Sequence, residues 1–178
     1  MFMPNEKKIK NLQKANERSH RLIVDCLREA LYGLLEKKSI SEITVSELTK
    51  TAGVSRGGFY KNFYLVTDVL EDDIKHVAED VRIAIGVDIG TNWEIILQAA
   101  YRYKDKIPLI LKAGMGMQIL NEINRSVESF DESIRLRIIA WNGIIFNCIL
   151  DWAERGFAET PHELAIELTK FTLTMFDN

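Results

Sequence analysis

The sequence predicts an all-α protein, and three observations carry that prediction. Only three prolines and ten glycines interrupt 178 residues. No run alternates polar and apolar residues with the period of two that marks a half-buried strand; the apolar spacing is helical nearly throughout. Helix start and stop signals also recur, with Ser or Thr three residues ahead of Glu and glycine just past the last periodic position.

Each element has its own signal. A first helix is predicted over roughly Asn16–Lys37, with Ile23, Leu27, Ala30, Leu31, Leu34 and Leu35 on one stripe and Lys37 and Lys38 near the negative pole of its dipole. Thr44-Val45-Ser46-Glu47 is a capping box that starts a short helix, with Leu48 and Ala52 facing inward. Gly53 ends it in a tight turn, Val54 plugs the turn, and Ser55 caps a third helix over about Arg56–Phe63. A fourth helix begins at Thr67 and Asp68 and reaches about Ile85, its core stripe being Val69, Leu70, Ile74, Val77, Ala78 and Val81. Gly86 and Gly90 bracket a break. Thr91-Asn92-Trp93-Glu94 opens a helix to about Lys106, and Pro108 starts another to about Val127. Ser129-Phe130-Asp131-Glu132 starts the longest helix, to about Arg155, where Gly156 stops it. Thr160-Pro161-His162-Glu163 combines a cap, a proline at the first helical position and a glutamate at the third, and starts a last helix to about Phe176.

Composition excludes several classes. Apolar residues make up 47% and charged residues 28%, values of a globular chain rather than a disordered one. Cys26 and Cys148 are far apart, each in an apolar stretch, and read as buried reduced thiols rather than a disulfide framework or zinc site. The polar start, Met1–Lys14, has no apolar core of a signal peptide. The most apolar stretch, Ile138–Leu150, is broken by Asn142, Gly143 and Asn147 and falls short of the roughly 20 residues that span a bilayer. A soluble, cytoplasmic protein with no membrane partner is therefore expected.

The net charge of −3 conceals a split. Residues 1–65 hold 12 Lys and Arg against 7 Asp and Glu, whereas residues 66–178 hold 11 against 19. A basic head on an acidic body suggests a polyanion partner for the head. The acidic body would then keep the chain from coating DNA indiscriminately.

The head contains two short helices joined by a glycine turn, a helix-turn-helix pattern whose second helix fits a major groove about 12 Å wide. In it, Phe59 and Phe63 would anchor the helix while Arg56, Gly57, Tyr60 and Lys61 point away. Two glycines inside a helix cost about 1 kcal/mol each relative to alanine. Close approach of the backbone to DNA would offset that cost; a frayed, partly 3₁₀ helix packed against its neighbour is the alternative.

The run from Ile43 to Phe63, Ile-Thr-Val-Ser-Glu-Leu-Thr-Lys-Thr-Ala-Gly-Val-Ser-Arg-Gly-Gly-Phe-Tyr-Lys-Asn-Phe, closely resembles the DNA-binding signature of the tetracycline-repressor (TetR/AcrR) family of bacterial transcriptional regulators. The resemblance covers roughly residues 15–80. Trp141-Asn142-Gly143 and Asp151–Phe157, followed by Thr160-Pro161, also look like the C-terminal half of some members from low-GC Gram-positive bacteria. The resemblance implies a three-helix DNA-binding domain over residues 1–65 and a helical effector-binding and dimerisation domain over residues 66–178. It implies a homodimer on double-stranded DNA with a near-palindromic operator, no cofactor, and release by a small apolar effector. It leaves open an activator or coactivator of the same architecture, or control by a protein partner.

Carried over by position, Thr44, Ser46, Ser55, Tyr60 and Lys61 are candidate phosphate contacts, and Arg56, Gly57 and Gly58 lie at base edges or the groove floor. Arg56 could grip guanine O6 and N7 or clamp a phosphate, and Tyr60 could instead be a half-buried core aromatic. The family pattern has a lysine near the start of the fourth helix; this chain has Tyr64-Leu65-Val66-Thr67-Asp68-Val69. Thr67 and the free N–H groups there could hold a phosphate, with Asp68 opposing. Extra positive charge sits in an N-terminal arm, Lys7, Lys8, Lys10 and Lys14, which is either solvated and disordered or a backbone contact.

In the second half, the long helix is apolar on two sides, Ile134, Ile138, Trp141, Ile145 and Trp152 along one and Ile139, Phe146, Leu150 and Ala153 along the other. A helix apolar most of the way round must be covered on both sides. With Leu164, Leu168, Phe171, Leu173 and Phe176 of the last helix it suggests a four-helix dimer interface, Phe146, Leu150, Leu164, Leu168 and Phe171 being the candidates, or else one large monomer core. Trp93, Tyr101, Tyr103, Met115, Met117, Phe130 and Trp141 are either cavity lining or ordinary core; Trp93, Tyr101, Met115, Met117 and Trp141 are the candidates for a ligand pocket. Gly114-Met115-Gly116-Met117 marks a kink, and Asn142 and Asn147 are satisfied amides or ligand-orienting groups. An enzyme is not expected. His20, His76 and His162 have no metal partner at i+4, and Asp72, Asp73, Glu122 and Glu128 read as solvated helix faces.

Overall fold

Helices are the only regular elements among the described residues of the computed structural model, which are 6–86, 92–125 and 127–176. Two compact units divide after Leu70.

The first unit begins with α1, Glu6–Leu35, ten residues earlier than the apolar stripe indicates. The stripe detects only the half that packs. Val24, Leu27, Leu31 and Leu35 are buried, while the upstream turns, rich in Lys, Arg and Glu, continue the helix at no further nucleation cost. A 3₁₀ turn, Ile40–Glu42, follows, with the Ser39 N–H donating to the Glu42 carboxylate at 2.9 Å, a start signal the sequence reading passed over.

Next come α2, Val45–Ala52, and α3, Arg56–Tyr60. The Thr44 hydroxyl accepts the Glu47 N–H at 3.2 Å, but Glu47 takes Lys38 Nζ at 2.7 Å, so half of the expected box forms. Gly53 ends α2 at φ +65°, and the Val54 N–H reaches back to the Thr49 carbonyl at 2.9 Å. α4, Val66–Ile85, begins in this unit and continues into the second.

The second unit holds the rest of α4, then α5 (Trp93–Tyr101), α6 (Ile107–Lys112), α7 (Gly116–Asn124), a 3₁₀ turn at Val127–Ser129, α8 (Glu132–Glu154) and α9 (Pro161–Phe176). Ile74, Val77, Ala78 and Val81 of α4 are buried as their spacing predicts. α5 packs along α9, where Trp93 Nε1 donates to Thr172 Oγ1 at 3.3 Å; α6 and α7 pack on α8. The Thr160 box forms in full, with both the Thr160 N–H and hydroxyl on Glu163 and the Glu163 N–H returned to Thr160.

Several boundaries differ from the sequence reading. The helix expected to reach Lys106 ends at Tyr101, because the N–H groups of Tyr103, Lys104 and Lys106 tighten to i→i−3 bonds. The Pro108–Val127 helix is two helices, broken where Gly114 adopts φ +74°. α8 is capped at Asp131 rather than Ser129, a 3₁₀ turn having used the preceding residues. α8 is also longer than the apolar stretch that marked it: by length and composition alone, its 23 residues are apolar enough to cross a membrane. The two cysteines are half-buried, not buried. Gly90, Thr91, and the side chains of Lys7, Lys8, Ser129 and Phe176 lie outside the described residues.

Candidate nucleic-acid interface

The helix-turn-helix geometry follows from local caps and two buried aromatics. Ser55 Oγ accepts the Gly58 N–H at 3.0 Å and starts α3. Phe59 and Phe63 are both buried, their rings 6.0 Å apart, and hold α3 to the unit. α3 is five residues rather than eight. The next turn persists as a mixture of i→i−3 and i→i−4 bonds, and the Asn62 amide donates to the Gly58 carbonyl at 2.7 Å. The outward face then carries exposed Arg56, Gly57, Tyr60 and Lys61, with Tyr60 55% exposed and so not a core aromatic.

Two polar details define this face. Arg56 Nη2 donates to Ser46 Oγ at 2.8 Å, joining the starts of α2 and α3 and fixing the guanidinium above the turn. Thr44, Ser46 and Ser55 each use a lone pair inside the protein, as acceptors from Glu47, Arg56 and Gly58. Each hydroxyl proton is thus available to an outside acceptor such as a phosphate oxygen.

The two glycines of α3 have different causes. A Cβ on Gly58 would meet Val54 Cγ1 at 3.1 Å and Ser55 Oγ at 3.3 Å, tight contacts that crowd this position within the unit. A Cβ on Gly57 would meet nothing closer than Ser55 Oγ at 3.9 Å. No contact inside the unit excludes a side chain at Gly57.

At the start of α4, Asp68 sits where the sequence has it opposing an anion. Asp68 accepts the N–H groups of Tyr64 and Leu65, both at 2.8 Å. The carboxylate thus occupies two amides just ahead of α4 and places a negative charge next to half-buried Thr67.

In the second unit, a small apolar cavity of about 20 Å³, room for about one water-sized sphere, lies among α4, α6, α7 and α8. Val77, Val81, Leu111, Ile119, Ile123 and Phe146 are among its walls, with Leu150 also present. None of Trp93, Tyr101, Met115, Met117 and Trp141 lines it. Trp93 and Trp141 are buried edge-to-face at 5.0 Å, Tyr101 stacks on Trp152 at 5.6 Å, Met115 is buried, and Met117 is 57% exposed. Aliphatic residues at helical spacing read as core in sequence, so nothing marked these walls. The Asn142 amide donates to Asn124 at 2.9 Å and is a satisfied buried group.

Asp73 corrects another expectation. It is buried, not solvated, and takes Lys106 Nζ at 2.8 Å, while Asp80 one heptad along α4 takes the Tyr103 hydroxyl at 2.7 Å. Burial and the Asp80 carboxylate push the Tyr103 phenol up to about 12. Among the described residues, no three His, Cys, Asp or Glu side chains come together as metal ligands.

Of the residues expected at a subunit interface, Phe146 and Leu164 are buried in their own chain, Leu150 and Leu168 are half-buried, and Phe171 is exposed. The N-terminal part of α8 is exposed on nearly every side, including Ile134, Leu136 and Ile139, and α9 exposes Ile166 and Leu173.

No family model matches the chain, and no curated protein matches it. Among solved structures it is similar to the fatty acid degradation regulator FadR from Bacillus halodurans, with a TM-score of 0.55 and 15% identity. That match covers 85% of this chain and 94% of the other, and it shows a shared all-α fold.

Proposed function

We propose that the chain is a sequence-specific, DNA-binding transcriptional regulator of the TetR/AcrR type, a cytoplasmic repressor that a small-molecule effector releases. In this reading residues 1–65 bind the operator and residues 66–178 bind the effector and dimerise. The observation that carries it is the exposed face of α3, where Gly57 has no packing cause and is flanked by exposed Arg56, Tyr60 and Lys61. Close approach of a base or sugar supplies the missing cause. Arg56, Gly57 and Gly58 then face the groove, and Thr44, Ser46, Ser55, Tyr60 and Lys61 hold phosphates, with Thr67 the position that Asp68 opposes. The fold shared with a protein described as a regulator of fatty acid degradation agrees with this reading.

The homodimer forms through α8 and α9, whose exposed apolar residues need a cover that the described residues do not supply. The effector site is the cavity among α4, α6, α7 and α8. Ligand sites for drug-sized molecules run to about 300–1,000 Å³, so an effector must displace Leu111, Ile119 or Phe146 to enter. The small cavity also favours a second reading, in which a protein partner rather than a small ligand controls DNA binding.

The test is a gel shift on DNA flanking the protein's own gene, against random duplex at low salt. A preference for the flanking DNA is expected; equal or absent binding overturns the proposal.

A further inference from the structure

The polar residues of α4 divide between two faces. Asp73 and Asp80 hold Lys106 and Tyr103, in the turn ahead of α6. Lys75, Glu79 and Arg82 lie about 140° round the helix from them, within an arc of about 60° at 100° per residue, with His76 about 60° beyond Glu79. Together with Glu122 in the last turn of α7 and Arg125 at its C-cap, these four residues line an open groove of about 550 Å³. Glu71 and Asp72, one turn earlier on α4, are not among its walls.

Each guanidinium in the groove is oriented by a carboxylate of its own helix. Arg82 donates from Nε at 2.8 Å and from Nη2 at 2.6 Å to Glu79, and Arg125 donates from Nη1 to Glu122 at 3.3 Å. Exposed pairs of this kind add little stability. They do restrict the two forks, and they leave donors over: Arg82 Nη1, and Arg125 Nε and Nη2. Lys75 adds a third cation, which pairs with no acidic side chain among the described residues. The walls thus hold three permanent cations against two carboxylates, although residues 66–178 as a whole hold 11 Lys and Arg against 19 Asp and Glu. Every lining side chain is ionisable, so an apolar molecule gains nothing there.

We propose that this groove between α4 and α7 binds a small polyanion, a molecule with two or more neighbouring carboxylate or phosphate groups. Arg82 and Arg125 present planar forks that match either group, and Lys75 supplies a point charge on a flexible stem. Two groups let one ligand engage cations of both helices while each stays clear of Glu79 and Glu122. The volume is that of a site for a whole small molecule, about 300–1,000 Å³, rather than for a bare ion. The aliphatic cavity proposed for the effector shares none of these side chains, and the groove stands whether or not the chain binds DNA.

The experiment is calorimetric titration of the full chain with inorganic pyrophosphate and, separately, with citrate, at constant low salt. Two variants lose equal charge: one carries K75Q, R82Q and R125Q, the other K104Q, K112Q and K170Q, exposed positions of the same unit outside the groove. Wild type is expected to bind at least one probe saturably, one per chain. The groove variant should bind it about tenfold more weakly or worse, and the control variant within about twofold of wild type. Binding of pyrophosphate alone assigns a phosphate ligand and binding of citrate alone a carboxylate one, and either supports the site. Wild type that binds neither probe, a groove variant that binds as wild type does, or equal losses in both variants overturns it. If the groove variant has lost helix by circular dichroism, K75Q alone, which breaks no ion pair, should still weaken binding, and R82K should fall between wild type and R82Q. Duplex titration of the wild type reads DNA binding separately, so either claim can fail without the other.

Discussion

Arg56 Nη2 donates to Ser46 Oγ at 2.8 Å, across two helices and ten residues of sequence. The bond removes rotamer freedom from a long side chain before any ligand arrives, which lowers the entropic cost of using its remaining donors. Arg56→Ala is expected to relax base preference by about 1–3 kcal/mol at one operator position. Ser46→Ala, which frees the guanidinium without removing it, should weaken operator binding less. Competition binding with operator variants measures both. Lys61→Ala should instead weaken all duplexes alike and lower the salt slope by about 1.

The neighbouring glycines should separate stability from binding. Gly57→Ala has room for its methyl group and reduces the freedom of the unfolded chain, so stability should hold or rise by up to about 1 kcal/mol. The same change should abolish specific DNA binding. Gly58→Ala must push Val54 and Ser55 aside by a few tenths of an ångström and should lower stability. Urea unfolding alongside duplex titration distinguishes the two; a Gly57→Ala protein that binds normally would remove the observation on which the functional proposal rests.

These contrasts also show what the sequence carried. Thr44, Gly53, Ser55 and Thr160 announce their helices because caps and turns are local, settled within four residues of chain. The Phe59/Phe63 anchor was legible for the same reason. Asp73 was not, because its partner Lys106 is 33 residues away and an acidic residue on a helix reads as solvated until the packing is known. Nor could a pair of identical letters reveal that Gly58 is crowded by its neighbours and Gly57 is not. The cavity walls were missed because Val, Ile and Leu at helical spacing are what any core contains.

Self-association should depend on the uncovered faces of α8 and α9. Leu136 is 73% exposed and Leu173 53% exposed, each a large apolar side chain facing water in the single chain. Leu136→Glu combined with Leu173→Glu should shift sedimentation from dimer to monomer with the helical content kept. A protein that is monomeric before substitution would remove the dimer from the proposal.

The Asp73–Lys106 pair fixes α4 to the start of α6. The Asp73 carboxylate is 4% exposed and the Lys106 side chain 36%, so solvent screens one end only. Lys106→Met should cost about 1–3 kcal/mol, below the value for a fully buried pair. Adding Asp73→Asn should recover part of that loss, because the desolvated charge is then gone. Denaturant unfolding of the two single variants and the double variant reads the coupling.

Tyr103 should make stability fall at high pH. Its phenol is raised to about 12 in the folded chain, first by burial and then by the Asp80 carboxylate on its hydroxyl. An unfolded tyrosine ionises near 10. Below pH 10 both states hold the proton and the Tyr103–Asp80 interaction contributes fully. Between about 10 and 12 the unfolded state loses its proton first, so ν_U falls below ν_N and the unfolding free energy drops as pH rises. Tyr103→Phe has no proton to lose and should flatten that part of the profile. It should also remove one late-ionising phenolate from the ultraviolet titration of the folded protein. Ionisation of Tyr103 near 10, in a protein still folded by circular dichroism, would mean that Asp80 and burial do not hold the proton as the geometry requires.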